Sequence, residues 1–238
     1  MALSSQPRWS VRTADAQVGL DVGLRNYMLR IYNYMASGLA LTGIVAYFFA
    51  ESGLYLSIAR TPLIYVFMLA PLGLVMLLSF GINRMSATAA QAVFWLYAGL
   101  MGVSMASIFL VFTGASIARV FFITAGTFAA MSLYGYTTQR DLSRIGSFLF
   151  MGLIGIVIAS LVNLFVGSSA LQFAISVIGV VVFTGLTAWD TQQIKEMYYE
   201  GDYGEVASKK AVLGALRLYL DFINLFMMLM QLMGARRD

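Results

Sequence analysis

The chain has no cysteine and no histidine in 238 residues. Without them there can be no disulfide, no thiol nucleophile, no zinc site of the HExxH kind, and no imidazole proton relay or catalytic triad. Proline is scarce at three residues, and charged residues make up only 11% of the chain. So little charge, with 60% hydrophobic residues and a mean hydropathy of +0.81, does not describe a soluble domain around one core. The chain reads as an integral membrane protein.

The net charge of +4 comes from basic residues spread singly along the chain, without an aromatic-interleaved basic cluster, so nucleic acid is not an expected partner. Their placement fits membrane topology better. Residues 1–30, with Arg8, Arg12, Arg25 and Arg30, read as an amino-terminal tail leading into an amphipathic segment. No short apolar core with a small-residue cleavage site follows the first charges, so the first span is expected to be retained.

Apolar windows of about 20 residues, the length needed to cross a hydrocarbon core, fall near 31–50, 63–82, 92–113, 117–137, 147–167, 170–190 and 211–233. The expected architecture is all-α, a seven-span membrane domain over 31–234 with a short tail at 235–238. Pro62 suits a helix start, while Pro71 is expected to kink the second span. The segment "TGASI" at 113–117 must turn in very few residues. Sorting Lys and Arg across seven spans places Arg84, Arg140, Arg144, Lys195, Lys209, Lys210 and Arg217 with the amino-terminal arginines, eleven in all. Arg60, Arg119, Arg236 and Arg237 fall opposite. The excess predicts a cytoplasmic amino terminus and an outside carboxyl terminus.

Of the acids, Asp15, Asp21, Asp141, Glu196, Glu200, Asp202, Glu205 and Asp238 fall in tails or loops, and Glu51 at a span boundary. Two remain: Asp190 in "FTGLTAWDTQQIKEMYYE" and Asp221 in "LRLYLDFINLFMMLMQLMG". Taking Lys195 and Lys210 as markers of the inner interface, a rise of 1.5 Å per residue puts Asp190 about 7 Å, Arg217 about 10 Å and Asp221 about 16 Å deep. The two carboxylates lie on consecutive antiparallel helices and can meet if a helix tilts or unwinds. Arg217 and Asp221 are four apart on one face, the spacing of an intrahelical ion pair. Thr187, Thr191, Gln192, Gln193 and Asn224 add polar groups nearby. A lone buried Asp with an Arg one turn away also serves as a plain structural lock, but intramembrane charges are functional by default. Two acids in a low-dielectric site cannot both ionise cheaply, so one is expected to keep a proton and the pair to titrate as a unit. Two carboxylates fall short of the six to eight oxygens that firm Ca²⁺ binding takes, which suits transient passage of the ion at Asp190 and Asp221 better than storage.

The motifs "AWDTQQIK" (188–195), "LYLDFINLF" (218–226) and "DLSRIGSFLFMGLIGIVIASLVN" (141–163) resemble those of the transmembrane Bax-inhibitor-motif, or Bax inhibitor-1, family, in its bacterial members. The resemblance covers the chain after residue 25. It implies seven helices with the last one central and surrounded by the other six, and a proton-dependent hydrogen-bonded aspartate pair carried by Asp190 and Asp221. It also implies a pH-sensitive calcium leak, in which a basic residue near the inner end of the second span helps closure. Arg84, in "GINRMS", is the positional candidate, with Arg217, Thr191 and Asn224 as supporting residues. Some bacterial relatives carry an acid in the second span, whereas "YVFMLAPLGLVMLLSFG" has none. A latch or cation site relying on that acid is not expected.

Three functions follow. The first is a pH-gated leak for calcium or another cation in the bacterial cytoplasmic (inner) membrane, with no cofactor and no enzymatic activity. The second is a non-transporting adaptor that binds other membrane proteins, including quality-control proteases. The third is an intramembrane aspartyl protease, disfavoured because Leu218, Tyr219, Leu220 and Phe222 crowd Asp221 where such enzymes carry glycine. A retinal protein is disfavoured outright, since no span has an interior lysine.

Overall fold

The computed structural model describes residues 9–237, with side chains from residue 22 on. Arg8 and Asp238 lie outside the described residues, as do the side chains of Arg12, Asp15 and Asp21. The elements are α1 (Trp9–Glu51), α2 (Leu54–Ala59), α3 (Leu63–Gly81) with a 3₁₀ turn at Ile82–Arg84, α4 (Ala87–Met105), α5 (Ser107–Val111), α6 (Gly114–Thr137), α7 (Ser143–Val166), α8 (Ser169–Glu196) and α9 (Glu205–Met233). No strand occurs among the described residues. Seven helical stretches are long and apolar enough to cross a membrane, as the hydropathy windows predict. Hydrocarbon offers no partner to a free N–H or C=O, so each crossing segment must satisfy its backbone within itself.

Helix ends follow from local chemistry. Ser86, Thr113 and Ser168 accept hydrogen bonds from the N–H groups of Ala89, Ser116 and Leu171, capping α4, α6 and α8. Gly167 ends α7 at φ 64°, a conformation that favours glycine. The tight join at 113–117 is braced by the carboxyl terminus. Thr113 N–H donates to Ala235 O at 3.0 Å, Arg237 N–H to Val111 O at 2.9 Å, and Ala235 N–H to Ser116 Oγ at 2.8 Å. Residues 235–237 are thus paired backbone rather than a plain tail.

One boundary shifts. The first helix runs back to Trp9, its spanning stretch begins at Val22, and Tyr27 and Met28 are buried, so the boundary drawn at residue 30 falls inside a helix. Pro71 lies inside α3, where its ring removes one N–H and frees the carbonyl four residues earlier. Ser104 Oγ of α4 donates to that carbonyl, Phe67 O, at 2.6 Å. The neighbouring helix replaces the bond that proline removes. Ser104→Ala is expected to lower stability by about 1 kcal/mol, read as a lower thermal midpoint in detergent; an unchanged midpoint would mean the Phe67 carbonyl is satisfied otherwise.

The seventh spanning helix, α9, is the centre of the bundle. In its most apolar window 67% of residues are buried, against 11% in α3 and α7. It packs on α8, α1, α6 and α4 and touches α3, whereas α7 packs chiefly on α8. Small residues permit the close crossings: Gly102 lies against the Thr42 carbonyl and Val45, where a Cβ would collide.

Candidate functional site

Six of the eight residues of "AWDTQQIK" each engage a different neighbour. The Ala188 backbone lies against Gly135 of α6 and the Trp189 indole against Gly146 of α7, both too close for a Cβ on the glycine. Thr191 Oγ1 donates to Thr187 O at 2.7 Å and stands 2.9 Å from Ser132 Oγ, which is 2.6 Å from the Tyr32 hydroxyl. This hydroxyl chain joins α8, α6 and α1. Gln192 clasps the loop between α6 and α7, with Leu142 N–H donating to Oε1 at 2.9 Å and Nε2 donating to Arg140 O at 2.8 Å. Lys195 Nζ donates to Tyr136 O at 3.0 Å and sits 5.5 Å from the centre of the Tyr136 ring. The remaining member of interest is Asp190, so the segment that carries it is held from three helices and a loop.

On α9, Asp221 is set by its neighbours in the same way. Tyr219 is fully buried, its hydroxyl 2.7 Å from Thr42 Oγ1, which donates to Ala98 O at 2.8 Å, and its ring meets Tyr97 edge-on at 5.2 Å. Phe222 packs on Phe128 and Phe121. Anchoring one residue on each side of Asp221 fixes its height and the direction in which it points.

The two aspartates meet. Their carboxyls are within hydrogen-bonding reach. Asp221 is only 4% exposed, and its buried Oδ2 has no hydrogen-bond donor. Two ionised carboxylates only accept, so a hydrogen bond between them needs one proton. Arg217 approaches from the more exposed side, with Nη1 3.7 Å from Asp190 Oδ1. This ion pair crosses between helices, where the spacing alone suggested a pair with Asp221 on the same helix. Arg217 is 49% exposed, so water screens the contact.

The depth expected from the lysines also changes. Lys210 Nζ donates to Met197 O at 3.0 Å and pairs with Asp202, so Lys210 sits level with residues beyond Lys195. The seventh helix therefore begins slightly farther from the bilayer centre than its lysine implied, which puts Arg217 level with Asp190 and Asp221 about one turn deeper, the register also set where Gly214 meets Ile194 and Gly179 meets Met228. No unwinding is needed, since both helices are continuous through the pair.

Other expected residues stand apart from the pair. Arg84 is exposed and makes no ion pair among the described residues. Asn224 Nδ2 donates to Leu220 O on its own helix at 2.8 Å, and Thr191 turns to Ser132. In the loop that Gln192 holds, the Ser143 side chain and the Ser143 N–H, the latter donating to Asp141 Oδ1 at 2.8 Å, keep the Asp141 carboxyl below its usual range. Among the described residues no three His, Cys, Asp or Glu side chains gather to hold a metal ion. Nothing in the sequence singles out Ser132, Tyr32 or Thr42, and Tyr219 stands out only as bulk beside Asp221. A lone serine in "AAMSLYGY" is a faint signal for Ser132, but the tyrosines read as ordinary apolar bulk.

Comparison with known proteins accords with these motifs. Residues 24–238 match the family model described as inhibitor of apoptosis-promoting Bax1. An uncharacterized protein of Rickettsia prowazekii is 51% identical over 230 residues, covering 96% of this chain and 98% of the relative. The inner membrane protein YbhL of Escherichia coli is 48% identical over 228 residues, 94% of this chain and 97% of its own length. An uncharacterized membrane protein of Streptococcus pyogenes is 38% identical over 218 residues, covering 90% and 94%. With seven spans, the last of them central, and near full-length similarity to these proteins, the chain belongs to the Bax inhibitor family of membrane proteins.

Proposed function

We propose that this protein is a pH-sensitive leak for calcium or a similar cation in the bacterial inner membrane, gated by the proton shared between Asp190 and Asp221. The observation that carries this reading is the burial of two touching carboxyls with a single half-exposed arginine beside them. With one proton the carboxyls hold α8 and α9 together. Without it, like charges face each other in a poor dielectric and must separate or admit a cation. The pair thus serves as both sensor and transient hard-oxygen contact, and flux is expected to rise as pH rises through its titration. Liposomes holding the purified protein are expected to take up calcium with a pH-dependent rate. A rate equal to that of protein-free liposomes across the pH series would overturn the reading.

The protein acts on this view without enzymatic chemistry. Leu218, Tyr219 and Phe222 are buried around Asp221 and leave no room for a substrate strand. The lysine-rich end of the bundle faces the cytoplasm and the carboxyl terminus faces outward. A chain without cysteine makes this easy to test. Ser57→Cys is expected to react with a membrane-impermeant maleimide on spheroplasts, and Gln139→Cys only after lysis; the opposite pattern would invert the topology.

A further inference from the structure

The first and fourth spans, α1 and α6, both pack on α9 but stand largely apart from each other. Between them runs an open groove of about 990 Å³. From Arg25 to Ile44 it follows α1 for about 28 Å at 1.5 Å per residue, close to the thickness of a hydrocarbon core.

The two ends of the groove differ in chemistry. At the end nearer the lysine-rich loops it is lined by Arg25, Tyr32 and Tyr136. Lys195, outside the lining, lies over the Tyr136 ring. At the other end the lining is Gly43, Ile44 and Phe121, with no polar side chain. A basic, phenolic mouth above a long apolar trough matches an anionic headgroup followed by a hydrocarbon chain. Gly43 supports this. A Cβ there would meet nothing within 4 Å, so no helix contact requires the glycine, and the space beside it is left for something other than this chain.

We propose that the α1–α6 groove binds an acyl chain of one anionic phospholipid from the leaflet at the lysine-rich end, with its phosphate at Arg25 and its chain running toward Ile44 and Phe121. The site is independent of the aspartate pair. The groove wall nevertheless includes Tyr32 and Ser132, whose hydroxyls lead to Thr191 beside Asp190.

Native mass spectrometry of the full chain in detergent, titrated with phosphatidylglycerol, phosphatidylcholine or oleate, tests the assignment without any flux measurement. One phosphatidylglycerol is expected to remain bound in preference to the other two. Arg25→Gln is expected to reduce that preference by about fivefold, the effect of one basic residue at a lipid surface. Gly43→Leu fills the trough and is expected to remove the bound lipid while leaving the thermal midpoint unchanged. Equal retention of phosphatidylglycerol and phosphatidylcholine would overturn the proposal, as would oleate binding as well as phosphatidylglycerol, or full retention of lipid by a folded Gly43→Leu protein. Lipid displaced by a protein dimer would assign the groove to a second copy instead.

Discussion

Asp221→Asn is expected to give a calcium flux that is low and nearly independent of pH. The amide is always neutral and can donate to the Asp190 carboxylate, so it mimics the state in which one proton holds α8 and α9 together. In the natural protein, losing that proton leaves two buried like charges in contact, with only the screened Arg217 beside Asp190. A one-proton switch changes the ratio of open to closed states by up to about tenfold per pH unit, and the variant should change less than about twofold over the same interval. The measurement is calcium entry into liposomes over a pH series, with both proteins reconstituted at equal density. A variant profile that overlays the natural one would remove Asp221 from the gate.

Gly135→Val is expected to be the most damaging single substitution outside the pair. A Cβ at residue 135 would run into the carbonyl oxygen, carbonyl carbon and Cα of Ala188. Because all three are backbone atoms, no rotamer change relieves the clash, and α6 and α8 must part. The loss is expected to be at least about 3 kcal/mol, the upper range for overpacking. Separation would also break the 2.9 Å contact between Ser132 and Thr191 and shift Asp190, two residues beyond Ala188. Gly126→Val on the same helix is the control, since a Cβ there meets nothing within 4 Å. Equal thermal midpoints for the two variants would mean that α6 and α8 do not touch as described.

Much of the framework is legible without coordinates. The seven windows and the singular positions of Asp190 and Asp221 follow from local composition. What misled the reading of depth was the use of lysines as rulers. A lysine marks the interface only if its helix ends there, and α9 extends past the interface so that Lys210 can bind Met197 O and Asp202. Likewise, spacing of four on one helix made Asp221 the natural partner of Arg217, but the guanidinium found Asp190 across the helix gap. Spacing reports which groups share a face, and says nothing of a competing partner on another helix.

By itself, then, the sequence determined the class, the count of spans and the two acids that no solvated loop explains. Those properties depend on hydrophobic length and on the cost of a buried charge, both of which are local. The tertiary structure decided the rest. It brought the Asp221 carboxyl to Asp190, joined Thr191 through Ser132 to Tyr32, repaired Pro71 with Ser104, and left α1 and α6 apart. Each of these depends on the rotation and height of one helix against another. Those are set by which small residues let backbones meet, as at Gly135 and Gly146, and the order of residues along one chain does not reveal which glycine meets which neighbour.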